Sequence, residues 1–132
     1  PMAITSNMTP EAKQYLLSVL FRGVEPTKQL WMGLARRPLD EISARTLTAL
    51  EPTTGYSRQT IFPLDWNLER ETVVTQETMF VNTGRGIWPE VEISFLATSK
   101  DGEGVLLAWA PLEPPRVVLP GDRLAVAMRV GF

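Results

Sequence analysis

The sequence predicts an all-β fold, an antiparallel β-sandwich carrying one N-terminal α-helix. Between residues 29 and 130, six or seven short apolar or alternating runs are punctuated by Gly-, Pro- and Asp-containing turns, the pattern of a sandwich. Only residues 10–22 combine helical spacing with capping residues at both ends. The chain has 132 residues, 44% of them hydrophobic and none of them cysteine. A chain of that size buries about two-thirds of its unfolded surface, enough for one core without disulfide staples. The expected organisation is an N-terminal arm over residues 1–9 and a single domain over 10–132.

The elements follow in chain order. Residues 1–8 show no periodicity and read as a loose arm. Thr9 suits a helix N-cap, Pro10 the first turn, and Glu11 the positive end of the helix dipole. Ala12, Leu16, Val19 and Leu20 then fall on one helical face, with Gly23 as the stop. Tyr15, Leu17 and Phe21 widen the stripe beyond what one sandwich face would cover. Residues 29–35 read as a buried strand. A long polar connection follows over 36–55, a functional or disordered loop by its length, with a short helix over 40–50 as the alternative reading. Residues 56–62 alternate like a strand that Pro63 ends, and Val73-Val74 suggest another. Residues 78–82 form a strand, and Thr83-Gly84-Arg85-Gly86 a turn with two glycines available for positive φ. Val91, Ile93, Phe95 and Ala97 alternate with Glu92, Ser94 and Leu96, as in a half-buried strand. Asp101-Gly102 marks a hairpin to a return strand at 105–110. A separate short strand follows at 116–119. Leu124, Val126, Met128 and Val130 should then line the buried face of a last strand, opposite Arg123 and Arg129.

Composition removes several chemistries. Without cysteine there are no disulfides or thiolate metal sites, and without histidine the commonest general base and zinc ligand are missing. No cofactor or metal is expected. A net charge of −2 argues against broad nucleic-acid or anionic-membrane binding. No apolar run approaches the ~20 residues that a membrane-spanning helix needs. The opening residues lack a charged and then apolar leader, so no signal peptide is expected, and the leading proline suggests removal of an initiator methionine. Ten of the thirteen Lys and Arg residues are arginine, a bias that fits either interface-forming side chains or GC-rich coding DNA.

Catalytic motifs are sparse. Gly84-Arg85-Gly86 is too short for a nucleotide-binding fingerprint and reads as a turn. Carboxylates at Asp65, Glu69 and Glu71, or at Glu90 and Glu92, leave a glycoside hydrolase as a remote alternative. Asp40-Glu41 and Asp101 with Glu103 lack the ligand series of a calcium loop. Of the four tryptophans, Trp31 and Trp109 lie in apolar strands and read as core. Trp66 and Trp88 lie in connections and are candidate contact residues, or sugar-stacking residues together with Tyr56.

A series of short motifs runs collinearly through residues 10–132. It comprises the helix, Leu30-Trp31-Met32-Gly33-Leu34, Gly55-Tyr56-Ser57-Arg58, Phe80-Val81-Asn82 and Ile87-Trp88-Pro89. The strand from Phe95 to the turn at Gly104 comes next, then Val105-Leu106-Leu107-Ala108-Trp109, Leu112-Glu113-Pro114-Pro115 and Val118-Leu119-Pro120-Gly121-Asp122. In this order and spacing the chain resembles the small tailed-phage virion proteins known as tail fibre, head fibre or decoration-like proteins. Two departures stand out: Trp88-Pro89 replaces the usual Trp-Gly, and the loop before Gly55 is richer in charge and proline.

The resemblance implies a non-enzymatic structural component of the virion. Such a subunit would dock on the capsid, the head–tail neck (collar) or the tail through protein–protein contacts. It would be made in the bacterial host cytoplasm and found in the virion, as a homo-oligomer such as a ring or trimer. Its partners would be capsid, neck or tail subunits. The lead alternative is a host-glycan-binding module of a phage fibre. The candidate contact residues are Tyr15, Leu17 and Phe21 on the helix, Arg36, Arg37 and Arg45 in the long loop, and Trp66 and Trp88.

Overall fold

A computed structural model describes residues 3–62 and 66–132. Pro63, expected to end a strand, Asp65, a carboxylate candidate, and the first two residues of the expected arm lie outside them. The elements are β1 (Ile4–Asn7), α1 (Pro10–Arg22), β2 (Leu30–Ala35), α2 (Ala44–Ala49), β3 (Gln59–Ile61), β4 (Trp66–Glu69), β5 (Thr72–Thr75), β6 (Thr78–Val81), β7 (Trp88–Ala97), β8 (Leu106–Val118), β9 (Arg123–Val126) and β10 (Met128–Gly131). One sheet has the order β1-β10-β5-β4 and faces a second of order β3-β2-β7-β8. A two-stranded ribbon, β6-β9, extends the β5–β10 pair beyond a bend, where the Met128 N–H donates to Thr75 Oγ1 at 2.9 Å. The fold is the expected all-β sandwich with a helix at its N-terminal end.

Residues 4–7 are not a loose arm. They form β1, paired in parallel with β10. Every other strand pairing among the described residues is antiparallel. Ile4 and Met8 pack on the core, and the intervening Ser6 is buried with its hydroxyl donating to the Trp109 carbonyl at 2.6 Å. Beyond β1, a Met8–Ala108 bridge and a Thr9 N–H bond to the Leu107 carbonyl join the two sheets along one side. Thr9 then caps α1 by accepting from the Ala12 N–H at 3.0 Å.

Met32, Leu34, Phe80, Leu96, Leu124, Val126, Met128 and Val130 fill the space between the sheets. The alternation expected over 123–130 therefore holds across the break between β9 and β10. β7 departs from its half-buried expectation. Val91 points into the main core, while Ile93, Phe95 and Ala97 form a second cluster with Leu47 of α2. Register shifts on either side of Val91 change which face the side chains take. Both faces of β7 are thereby covered, because α2 lies across the outer side of the sheet.

β8 also departs from expectation, running unbroken through the segments read as two strands. It lies at the end of its sheet's order, where prolines such as Pro111, Pro114 and Pro115 can be carried.

Candidate functional site

α1 faces two ways. Each residue turns an α-helix by about 100°, so Ala12, Tyr15, Leu16 and Val19 share one side and Leu17, Leu20 and Phe21 the other. On the inner side Ala12 is buried, and Tyr15, Leu16 and Val19 are half-buried. Tyr15 is fixed there, packing on the core while its hydroxyl accepts the Thr27 N–H at 2.8 Å. On the outer side Leu17 is 57% exposed, Leu20 70% and Phe21 77%; Val24, just past the helix, is 45% exposed. Leu20, expected to face the sandwich, belongs to this outer stripe, because Ala12, Leu16 and Val19 suffice to seat the helix. Val24, beyond the left-handed Gly23 cap, was missed because it lies outside the helical run.

An apolar cleft of 380 Å³ separates the inner side of α1 from the sandwich. It is lined by Met8, Leu16, Leu30, Ile61, Trp66 and Leu107, among others. Trp66 is half-buried and packs against the core, so it is a wall of this cleft rather than a projecting anchor. Met8 also borders a second, smaller cleft with Leu68, Val130 and Phe132.

The arginines lie elsewhere. Leu30, at the start of β2, lines the α1 cleft, whereas Arg36 follows the other end of that strand and lines a separate groove. This shallow 620 Å³ groove also holds Arg37, Leu39, Asp40, Glu90 and Glu92. Leu39 is fully exposed in it and was not singled out in the sequence. The Arg37 backbone N–H donates to Glu92 Oε1 at 3.1 Å, and its guanidinium lies 5.9 Å from the Trp109 ring centroid. Arg36 and Arg45 are exposed, with no ion pair among the described residues. The loop itself is mainly structural cover: α2 places Leu47 over the second cluster, and Ser43 and Thr46 close a capping box at its start.

No family model and no curated protein matches the sequence. The geometry of the chain's own motifs therefore carries the functional argument, and most of those motifs meet in one place. Trp88, expected in a contact loop, is instead only 1% exposed, and its indole N–H donates to the Thr54 carbonyl. Tyr56 packs edge-on against Trp88, centroids 5.6 Å apart, and stacks on Phe80 at 6.3 Å. The Tyr56 hydroxyl accepts the Leu34 N–H at 2.9 Å. Burial, reinforced by the neighbouring Glu51 charge, pushes this hydroxyl far above its ordinary range. Trp31 and Trp109, read as core, are half-buried on the outer face of the sheet, in register with Ala97 and Phe95.

Asn82 is fully buried beside this aromatic group. Its Nδ2 donates to the carbonyls of Gly86 and Val118, and its Oδ1 accepts the Gly84 N–H at 3.0 Å. Gly84 and Gly86 do not use positive φ; of the two neighbouring loops, it is Gly55 that does, at 60°. The reason for glycine is close approach: a Cβ on Gly55 would come within 1.9 Å of the Gly84 nitrogen.

Arg58 extends the same structure outward. Its guanidinium pairs with Glu51 through Nε and Nη2, and also bonds Thr48 Oγ1 and the carbonyls of Ser99 and Asp101. Both side chains of the ion pair are largely buried. Phe95 lies 4.9 Å beneath the guanidinium and directly opposite Gly33 across the β2–β7 pair, where a Cβ would come within 2.4 Å of the Phe95 ring.

Two of the acidic residues considered above are engaged as well. Glu69 pairs with Arg129 at 2.7 Å. Asp101 Oδ1 accepts from Ser99 Oγ and the Glu103 N–H, bonds that hold its carboxyl below the usual range.

Proposed function

We propose that this protein is a non-enzymatic structural component of a tailed-phage virion. In this reading it is an accessory subunit docking on the capsid, the neck or the tail through protein–protein contacts. The observation that carries the reading is the outer side of α1. Three apolar side chains, Leu17, Leu20 and Phe21, stand in water on a helix whose inner side already seats it on the sandwich. Clustered exposed apolar surface of this kind marks an interaction site. The resemblance of the motif series to phage virion proteins supports the virion context. The hub around Asn82, Tyr56 and Trp88 accounts for the motifs as parts of a rigid block.

A glycan-binding module would need aromatic faces along an open groove. Tyr56 and Trp88 instead pack on each other, and Trp66 walls a cleft. The adhesive reading is therefore preferred. Its test is incorporation into particles. Deleting residues 1–22 is unsuitable, because it removes β1 from its sheet. The double variant Leu17→Asp, Phe21→Asp changes only exposed side chains. It should fold normally and be lost from purified particles. Full incorporation of the folded variant would overturn the proposal.

A further inference from the structure

We infer that Asp101-Gly102 is a site of spontaneous isomerisation to isoaspartate, and that the fold holds it shut through Ser99 and Arg58. The inference stands independently of the adhesive reading.

The sequence supplies the reactive pair. Asp101-Gly102 is the one Asp-Gly step in the chain, which has no Asn-Gly. It lies in the loop between β7 and β8, with both residues exposed. Glycine has no side chain to hinder its amide nitrogen. That nitrogen attacks Cγ of the Asp101 acid. The N–Cγ bond forms, and the acid hydroxyl leaves as water with the amide proton. The product is a succinimide ring, which water reopens at either carbonyl. Opening at the former α-carbonyl leaves the chain running through Cγ, one backbone atom longer, with no net change in composition.

The attack needs Cγ and the Gly102 nitrogen to swing together about the Cα–Cβ and Cα–C bonds of Asp101. The first rotation is restrained at the carboxylate. Its Oδ1 accepts the Ser99 hydroxyl at 2.7 Å and the Glu103 N–H at 3.0 Å. Ser99 Oγ in turn accepts the Asp101 N–H at 3.2 Å, so one hydroxyl ties both the side chain and the backbone of Asp101. The second rotation is restrained by Arg58. Its Nη1 donates to the carbonyls of Ser99 at 2.9 Å and Asp101 at 2.7 Å, and the guanidinium is itself fixed by its pair with Glu51. Gly102 rests against α2, where a Cβ would come within 2.9 Å of Thr48 Cγ2. The bonds from Ser99 and Glu103 also favour the ionised carboxylate, which has no hydroxyl to lose.

The test incubates the full chain at neutral pH, folded and in urea, for several weeks. Isoaspartate is counted by enzymatic methylation and located by mass spectrometry of peptides. The urea-unfolded chain should isomerise at Asp101, and the folded wild type much more slowly. Ser99→Ala, shown to be folded by circular dichroism, should isomerise about tenfold faster than the folded wild type, the factor for one lost charge-assisted hydrogen bond. Ser99→Thr, which keeps the hydroxyl, should stay near the wild-type rate. Arg58→Lys, which loses the grip on two carbonyls, is a second probe and should also be faster. An unfolded chain that forms no isoaspartate at Asp101 would overturn the site. A folded wild type reacting as fast as the unfolded chain, or folded variants no faster than the wild type, would overturn the role of the two restraining residues.

Discussion

Asn82 closes three backbone gaps with one buried amide. It satisfies the Gly84 N–H and the carbonyls of Gly86 and Val118. Alanine there would leave those groups without partners in a space closed to water. Asn82→Ala should therefore cost about 3 kcal/mol or more in urea unfolding. Tyr56 supplies a pH signature. Its hydroxyl is raised above the ordinary value of 10.0, chiefly by burial. Below about pH 10 both folded and unfolded chains hold the proton, and the contribution of Tyr56 is complete. As pH rises further the unfolded chain releases the proton while the folded chain keeps it. Stability should then fall by about 1.4 kcal/mol per pH unit from this group. Tyr56→Phe should be less stable at neutral pH, because the Leu34 N–H loses its acceptor, yet should lack that part of the alkaline slope. Unfolding curves for both proteins between pH 8 and 11 would check the sign.

At the scale of elements, Arg58 ties α2 and the β7–β8 loop to the entry of β3. Removing its guanidinium strands the buried Glu51 carboxylate, so Arg58→Ala should cost about 3–5 kcal/mol by thermal or urea unfolding. The legibility of each element followed from how local its cause is. α1 was readable because Thr9, Pro10, Glu11 and Gly23 are adjacent signals of start and stop. β1 was not, because its inward residue Ser6 is polar and its pairing partner lies at the far end of the chain. Trp88 read as a contact residue because Pro89 follows it, while the groups that bury it, Tyr56 and Thr54, come from a loop some thirty residues earlier. Of the candidate contact residues, Leu17 and Phe21 project from the surface as expected. Arg36, Arg37 and Arg45 lie apart from them, since β2 separates the two regions.

At the scale of the whole molecule, the proposed reading assigns the aromatic hub to the fold and the exposed helix stripe to contact. Asp at Leu17 should change folding stability by less than about 1 kcal/mol, since the site is exposed. The same substitution at Met128, which is fully buried, should prevent folding. The account involves no metal, so a chelator should leave the melting temperature unchanged. A fall would point to ion binding in the acidic loops. The central claim is that the outer side of α1 is a contact surface in the assembled particle. An image of the parent particle at side-chain resolution tests it most directly. The account predicts Leu17, Leu20 and Phe21 buried against a neighbouring subunit; the same side chains facing solvent in the intact particle would contradict it.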